Sequence, residues 1–363
     1  MIEKILEYED LWTVLSRCTK PILLYGMGDG ADKVLDVCEE KGIKISGVFA
    51  SDGFAKNKEF RSFTVTDYST AKNTFGNFVV LLSFASSRDE VIENILKIGG
   101  ENELYCPDVP VFGTGLFDKK FVTENFEKFK IVYEHLSDEL SRENYINIII
   151  GKMTGNIEFL RKAESDVSEA YNSIIKPCSN SHYVDVGAYN GDTIREYLQY
   201  SGFCSKITAF EPDIRNFRKL CTYAIDNGID TDAFYNIAAW NKKEILTFYS
   251  RSGRNSAGTT SHKNVKSTSI QADCVDNYIT LSVDFINIDA EGSDRNVILG
   301  LENTIDKYKP CISCAVYHRN EDLFDLPLLL LNLYGDCEMY IRHFKYFPAW
   351  DTNIYVKPKQ KHS

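Results

Sequence analysis

After Pro177 the chain alternates between short apolar runs and amphipathic stretches: HYVDVG, DTIREYLQY, KITAFEP, IRNFRKLCTYAIDN and AFYNIAAW. This alternation constrains the fold more than any bulk property. Strands that return in the same direction need crossover helices, and helices on both faces leave the strands apolar throughout. A polar loop follows, then a strand ending in Asp289, a helix over Asp294 to Tyr308 and the apolar strand CISCAVYH. The series predicts a doubly wound α/β unit whose ligands sit at the carboxyl ends of the strands.

A similar but shorter series opens the chain. PILLY, Pro21 to Tyr25, leads into GMGDGA and a helical pattern with Val34, Leu35 and Val37 on one side. A second strand spans Ile43 to Ala50 and stops at Ser51 and Asp52; a third, Phe78 to Phe84, precedes a helix from Arg88 to Ile98. From about Phe117 to Ile175 strand signals fade into charged amphipathic helices such as FEKFKIVYEHLSDELSRENY. At 363 residues the chain exceeds one ordinary domain. The expected division is an α/β accessory domain of nucleotide-binding type over 1–115, a helical connector over 116–178 and a second α/β domain over 179–357.

Composition narrows the function classes. With 44% hydrophobic and 13% aromatic residues the chain has material for packed interiors. A formal charge of -11 opposes a phosphate-neutralising surface, so nucleic acid is not the expected partner. MIEKILEYEDLW lacks the layout of a secretory signal, which places the chain in the cytoplasm by expectation. The apolar run Leu326 to Leu333 contains Pro327 and Asn332 and is too short to span a bilayer. The ten cysteines form no even framework, and Cys311 and Cys314, on one strand, point to opposite faces. No metal site is expected from them.

The strongest chemical signal is VDVGAYNGDT, Val184 to Thr193, an apolar strand running through a glycine turn into a helix. Gly187 and Gly191 allow close backbone approach, and Asp185 and Asp192 bring negative charge to a site able to receive a cation. About twenty residues on, the next strand ends at Glu211 in TAFEPD, where a carboxylate can accept from both hydroxyls of a ribose. These two signals together indicate an adenosine nucleoside without saying which. In FINIDAEGSD a third buried strand ends in Asp289, with Glu291 two residues on; Asp294 or Ser293 is the expected cap of the following helix.

The ordered set VDVGAYNGDT, TAFEPD, FINIDAEG and AVYHRNEDLFDLP, over about residues 180–356, resembles the FkbM family of S-adenosylmethionine-dependent methyltransferases. The loop GRNSAG at Gly253 to Gly258, ADCVDNY and the closing run YIRHFKYFPAWDTNIYV belong to the same likeness. The resemblance implies a Rossmann-like class I methyltransferase fold. It implies S-adenosylmethionine as cofactor, with Asp185, Gly187, Ala188, Tyr189, Asn190, Gly191 and Asp192 around its methionine part. Glu211 and Pro212 would then lie at the ribose, and Asn236 and Ile237 beside the adenine. Family members often carry Asn where this chain has Tyr189 and Lys where it has Asn287.

Methylation of a hydroxyl benefits from a general base, and the candidates are Asp289, Glu291 and His318, the last following CAVY at the carboxyl edge of the sheet. The resemblance implies an O-methyltransferase acting on a glycan, a lipid-linked sugar or a secondary metabolite. The acceptor is thus a small molecule or glycan, and homo-oligomerisation is left open. Tyr317, Phe324, Tyr346, Phe347 and Trp350 are read mainly as core packing. Two rivals rest on the N-terminal half, where Gly26, Gly28 and Ala31 meet a relaxed dinucleotide pattern and Asp52 closes the second strand. They are an NAD(P)-dependent oxidoreductase and a nucleotide-sugar-binding module.

Overall fold

The computed structural model describes residues 1–55, 58–110, 112–250 and 266–359. The loop Gly253 to Gly258 lies outside the described residues. The chain packs as two units: Met1–Tyr133, Glu139–Ser165 and His343–Asp351 form the first, and Glu134–Asp138, Asp166–Arg342 and Thr352–Ser363 the second. Packing thus draws most of the expected connector into the first unit, together with a segment from near the C-terminus. Among the described residues no helix is long and apolar enough to cross a membrane.

The first unit holds a five-stranded parallel sheet of β1 (Ile22–Tyr25), β2 (Gly47–Ala50), β3 (Thr66–Asp67), β4 (Val79–Leu82) and β5 (Glu103–Tyr105), in the order β3-β2-β1-β4-β5. Every residue of β1 and β4 is buried, as strands covered on both faces must be. Against β1 pack Ala31, Val34 and Leu35 from the helix Asp29–Glu40, with Val48 and Leu81 from the flanking strands. Each such large side chain contributes about 1.5–3 kcal/mol by leaving water. The second strand begins later than the pattern suggests: the extended pairing with β1 starts at Gly47, where an added Cβ would lie 2.7 Å from Leu23.

The helix Glu139–Thr154 departs from the amphipathic expectation. Tyr145, Ile146, Ile148, Ile149, Ile150 and Met153 are all buried, and so are Asn144 and Lys152. Consecutive buried positions put apolar residues on all sides, so this is a core helix of the first unit. The buried Lys152 ammonium is tolerated because Asp108 lies 2.8 Å away and the Phe117 ring lies 5.1 Å below it. His343–Asp351 joins the same unit, Ser86 and Phe347 exchanging backbone hydrogen bonds of 2.9 and 3.1 Å.

The second unit holds a seven-stranded sheet of β6 (His182–Val186), β7 (Lys206–Phe210), β8 (Phe234–Tyr235), β9 (Phe285–Ile288), β10 (Cys311–Ala315), β11 (Cys337–His343) and β12 (Thr352–Pro358). The order is β8-β7-β6-β9-β10-β12-β11, with β12 antiparallel to β10. The chain steps outward from β6 through β7 to β8, then returns to place β9 on the other side of β6. That reversal is the topological switch point, and in α/β sheets of this kind ligands bind beyond the carboxyl ends of the strands at such a point.

Two expectations are corrected here. AFYNIAAW is not one strand: Phe234–Tyr235 pairs with β7, whereas Ala238–Trp240 joins Glu244–Ser250 and Lys266–Cys274 in a separate three-stranded sheet. The break falls at Asn236, whose side-chain amide donates to the backbone carbonyls of Glu211 and Pro212. Likewise the helix expected from Asp294 to Tyr308 divides into Asp294–Leu299 and Glu302–Tyr308. Gly300 marks the division, and a Cβ there would lie 2.0 Å from the Trp240 carbonyl oxygen.

Breaking the buried pair tests the core-helix assignment. Asp108→Asn leaves the Lys152 charge without a partner and is expected to lower stability by about 3 kcal/mol or more in urea denaturation; a loss under about 1 kcal/mol contradicts it.

Candidate active site

At the end of β6, Asp185 is fully buried. It accepts hydrogen bonds from Thr193 Oγ1 and, at 3.1 Å, from Asn287 Nδ2, its register partner on β9. Burial, the larger influence, pushes its pKa up to about 6 against these bonds. The carboxylate is therefore committed inward, holding β6, β9 and the start of the helix Asp192–Ser201 together. Asn287 does this as a neutral donor at the position where the resemblance leads one to expect Lys.

The glycine turn is shaped by its protein neighbours. Gly187 has φ +87°, and a Cβ on it would sit 1.9 Å from the Asp289 carbonyl oxygen, so the loops after β6 and β9 touch where only glycine fits. Gly191, at φ +86°, presses on Tyr223 and Leu220. The closeness expected toward a ligand is thus closeness to neighbouring backbone and side chains. Ala188 is buried and donates its amide to the Phe210 carbonyl at 3.0 Å.

Beside the turn stand two acceptors, Glu211 and Asn190. Glu211, 5% exposed, takes the Tyr189 amide at 2.9 Å on one carboxylate oxygen and the Asp213 amide at 2.8 Å on the other. A carboxylate has about four acceptor positions, so roughly half remain for the hydroxyls of a ribose. Burial pushes its pKa up to about 8 despite the two amides, so further donors would stabilise the charged form. Asn190 Oδ1 is buried with no hydrogen-bond partner, an acceptor waiting for a donor such as an ammonium group. Asn236 braces the Glu211–Pro212 turn through its amide, and Ile237 follows where the chain leaves the sheet. Asp192, the first residue of its helix, accepts from the Thr193 amide at 3.1 Å.

Across the switch point, Asp289, Glu291 and His318 come together as expected. His318 is buried; its Nε2 lies 3.2 Å from Asp289 Oδ1 and 3.8 Å from Glu291 Oε2, and its Nδ1 lies 2.9 Å from Asp294 Oδ2. Tyr317 Oη donates to Asp289 Oδ2 at 3.2 Å, an interaction sequence reading missed because it ranked Tyr317 with the packing aromatics. Asp294 is not the helix cap it was expected to be, and Ser293 makes no capping bond either. Its carboxylate turns back to accept the Ala290 and Gly292 amides at 2.8 and 3.1 Å as well as His318.

Burial alone would depress the His318 pKa, but Asp294 and Asp289 outweigh it and hold the imidazole well above its usual range. With a proton on each nitrogen it can donate to both carboxylates, and it has no lone pair left to act as a base. Asp322 stands beside this group, pushed up to about 7 mainly by burial. Asp294, His318 and Asp322 offer ligand atoms within 4.8 Å of one another, close enough for a metal ion. Those atoms are nevertheless engaged in the His318–Asp294 bond and, for Asp322, by the Arg319 amide at 2.8 Å.

The N-terminal glycine turn is used differently. A Cβ on Gly26 would meet the Phe84 ring at 2.5 Å, and one on Gly30 the Ser83 carbonyl oxygen at 2.5 Å, while Gly28 alone is open. Ala31 is buried, and Asp29 and Asp32 occupy the first helical turn, where a pyrophosphate would meet like charge. Asp52 is occupied by the amide and hydroxyl of Ser69. This geometry weighs against the dinucleotide rival. Phe324 and Phe347 are buried as expected of packing aromatics, and Tyr346, Phe347 and Trp350 belong to the first unit.

Residues 185–348 match the family model of the Methyltransferase FkbM domain. The chain shares its fold with the methyltransferase FkbM of Methylobacillus flagellatus KT, at 16% identity and a TM-score of 0.70, covering 98% of this chain and 92% of that one. Aeropyrum pernix fibrillarin, solved with natively bound S-adenosyl-L-methionine, is more distant: 12% identity, TM-score 0.34, 52% of this chain and 71% of that one. No curated protein sequence matches the chain.

The paired carboxylates make His318 measurable. Nitrogen-detected NMR at pH 7.5 is expected to show both ring nitrogens protonated; a neutral tautomer contradicts the ion-pair chain. Because its folded pKa lies above the unfolded value near ~6.5, the stability it contributes is complete below that pH and is lost as pH rises through the folded value.

Proposed function

We propose that this chain, an S-adenosylmethionine-dependent methyltransferase whose residues 185–348 form an FkbM domain, methylates a hydroxyl of a small molecule or glycan: a sugar, a lipid-linked sugar or a secondary metabolite. The observation that carries this reading is the half-exposed Asp289 carboxylate at the end of β9, held on one oxygen by His318 and on the other by Tyr317. A carboxylate fixed in orientation yet open to an acceptor suits removal of a proton from a weakly acidic hydroxyl.

The bound cofactor supplies an electrophilic methyl group on a positively charged sulfur. Glu211 would hold its ribose and Asn190 its ammonium group, with the turn Gly187 to Asp192 shaping the methionine end and Asn236 and Ile237 bordering the adenine side. These are the acceptors the site presents to a ligand rich in donors. The protein's main task is alignment, since fixing nucleophile and electrophile in line can supply at most about 7–11 kcal/mol. Asp289 would take the proton that the acceptor hydroxyl gives up as it receives the methyl group.

Glu291 stands beside Asp289 as a second carboxylate, 41% exposed, able to orient the acceptor. His318 is a positioning residue: it fixes Asp289 and balances the negative charge gathered around it.

Asp289→Asn is expected to lower turnover on a responsive acceptor by about 100-fold or more, with S-adenosylhomocysteine affinity within a factor of about two. The check is a panel of glycans and small alcohols assayed for S-adenosylhomocysteine release, followed by calorimetry on the variant. Undiminished turnover removes Asp289 from the proton-transfer role.

A further inference from the structure

Three consecutive residues after β10 reach across to the loop after β9. Tyr317 and His318 meet the two oxygens of Asp289, and Arg319 donates from Nε to the Gly292 carbonyl at 3.0 Å. The guanidinium therefore lies against the loop that carries the carboxylate read as proton acceptor. Arg319 is half-buried, and its backbone amide is fixed by Asp322 at 2.8 Å.

The loop does not depend on the arginine for its shape. Ala290 to Ser293 form a reverse turn closed by the Ser293 amide on the Ala290 carbonyl at 3.0 Å, with Glu291 at φ +50° and Gly292 at φ +84° in its centre. Positive φ at both central places is costly for a glutamate. Asp294 already holds that conformation by accepting the Ala290 and Gly292 amides. Nor does Arg319 neutralise a neighbour. Asp289, Glu291 and Asp294 direct their carboxylates to His318, and Asp322 accepts a backbone amide; among the described residues none forms an ion pair with the guanidinium.

A guanidinium carries five N–H donors in a rigid plane. Nε uses one, and those on the two terminal nitrogens make no hydrogen bond among the described residues. With Nε engaged, the terminal pair forms the end-on fork that matches two oxygens of a phosphate or a carboxylate. A group of that charge would be repelled by Asp289 and Glu291 unless a fixed cation beside them received it.

We propose that Arg319 is a specificity-determining residue that receives an anionic group of the methyl acceptor, a phosphate ester or a carboxylate, on its terminal nitrogens. The inference rests on the reading of Asp289 as proton acceptor and narrows the acceptor from hydroxyl compounds in general to acidic ones.

The test uses the full chain saturated with S-adenosylhomocysteine. The probes in calorimetry are glucose phosphorylated at its anomeric oxygen, glucuronate and methyl glucoside. The wild type is expected to bind the phosphorylated or the carboxylated sugar at least about tenfold more tightly than methyl glucoside, the tighter of the two identifying the anion. Arg319→Gln is expected to remove that preference and to leave affinity for methyl glucoside and S-adenosylhomocysteine within about twofold. Arg319→Lys keeps the charge but not the fork and is expected to bind the anionic sugar about threefold more weakly; it decides the matter should Arg319→Gln not fold. A wild type that binds the three sugars alike, or none of them, overturns the proposal. So does a variant that loses the neutral sugar as much as the charged one, which would mark Arg319 as support for the Gly292 turn. Undiminished turnover in Asp289→Asn overturns the proton-acceptor reading instead, a failure distinct from these.

Discussion

The approach of two backbones at the centre of the second sheet sets the geometry of everything around it. Gly187 on the loop after β6 lies against the Asp289 carbonyl on the loop after β9, at a distance no side chain could share. Just beneath, Asp185 and Asn287 meet in register between the same strands. Glu211 and Asn190 belong to the loops beside β6 and β7, whereas Asp289 and Glu291 follow β9 and His318 follows β10.

The electrostatics follow from how each charge is matched. Asp294 spends its oxygens on two loop amides and on His318, and His318 passes that order on to Asp289. The outcome is a fixed carboxylate at the mouth supported by a buried cation, itself supported by a buried anion. Such a chain is stable only while every member is satisfied, since a lone buried charge costs several kcal/mol. Glu211 stands in a different balance. Burial favours its neutral form and two amides favour the charged one, so ligand hydroxyls can tip it toward ionisation.

Much of this was legible in the sequence, because apolar runs punctuated by glycine or carboxylate are what a buried parallel strand and its turn require. HYVDVG, KITAFEP and the run ending in Asp289 became β6, β7 and β9, with Glu211 and Asp289 just past the strand ends and Asp185 buried near the end of β6. Less visible were features set by tertiary contacts. AFYNIAAW reads as one strand until Asn236 is seen to brace the Glu211 turn, and the long helix after Asp294 breaks because Gly300 lies against Trp240. Glu139, Arg142 and Glu143 gave the helix Glu139–Thr154 a charged look, whereas its later turns are buried and the Lys152 among them is matched by Asp108. His318 reads as a base at its ordinary pKa; Asp294 and Asp289 beside it raise that pKa, a shift no single-residue reading could show. The N-terminal glycines satisfy a dinucleotide pattern by spacing, whereas their conformations serve the close packing of Phe84 and Ser83.

The central claim is that the seam between β6 and β9 holds an adenosyl cofactor through Glu211. The most direct measurement is calorimetry of the full chain and of Glu211→Ala against S-adenosylmethionine and, separately, NAD. Binding of S-adenosylmethionine to the wild type, its loss in the variant and no binding of NAD to either are the predicted results. NAD binding that survives the substitution, with no response to S-adenosylmethionine, would contradict the account and return the N-terminal glycine turn to the centre of the chemistry.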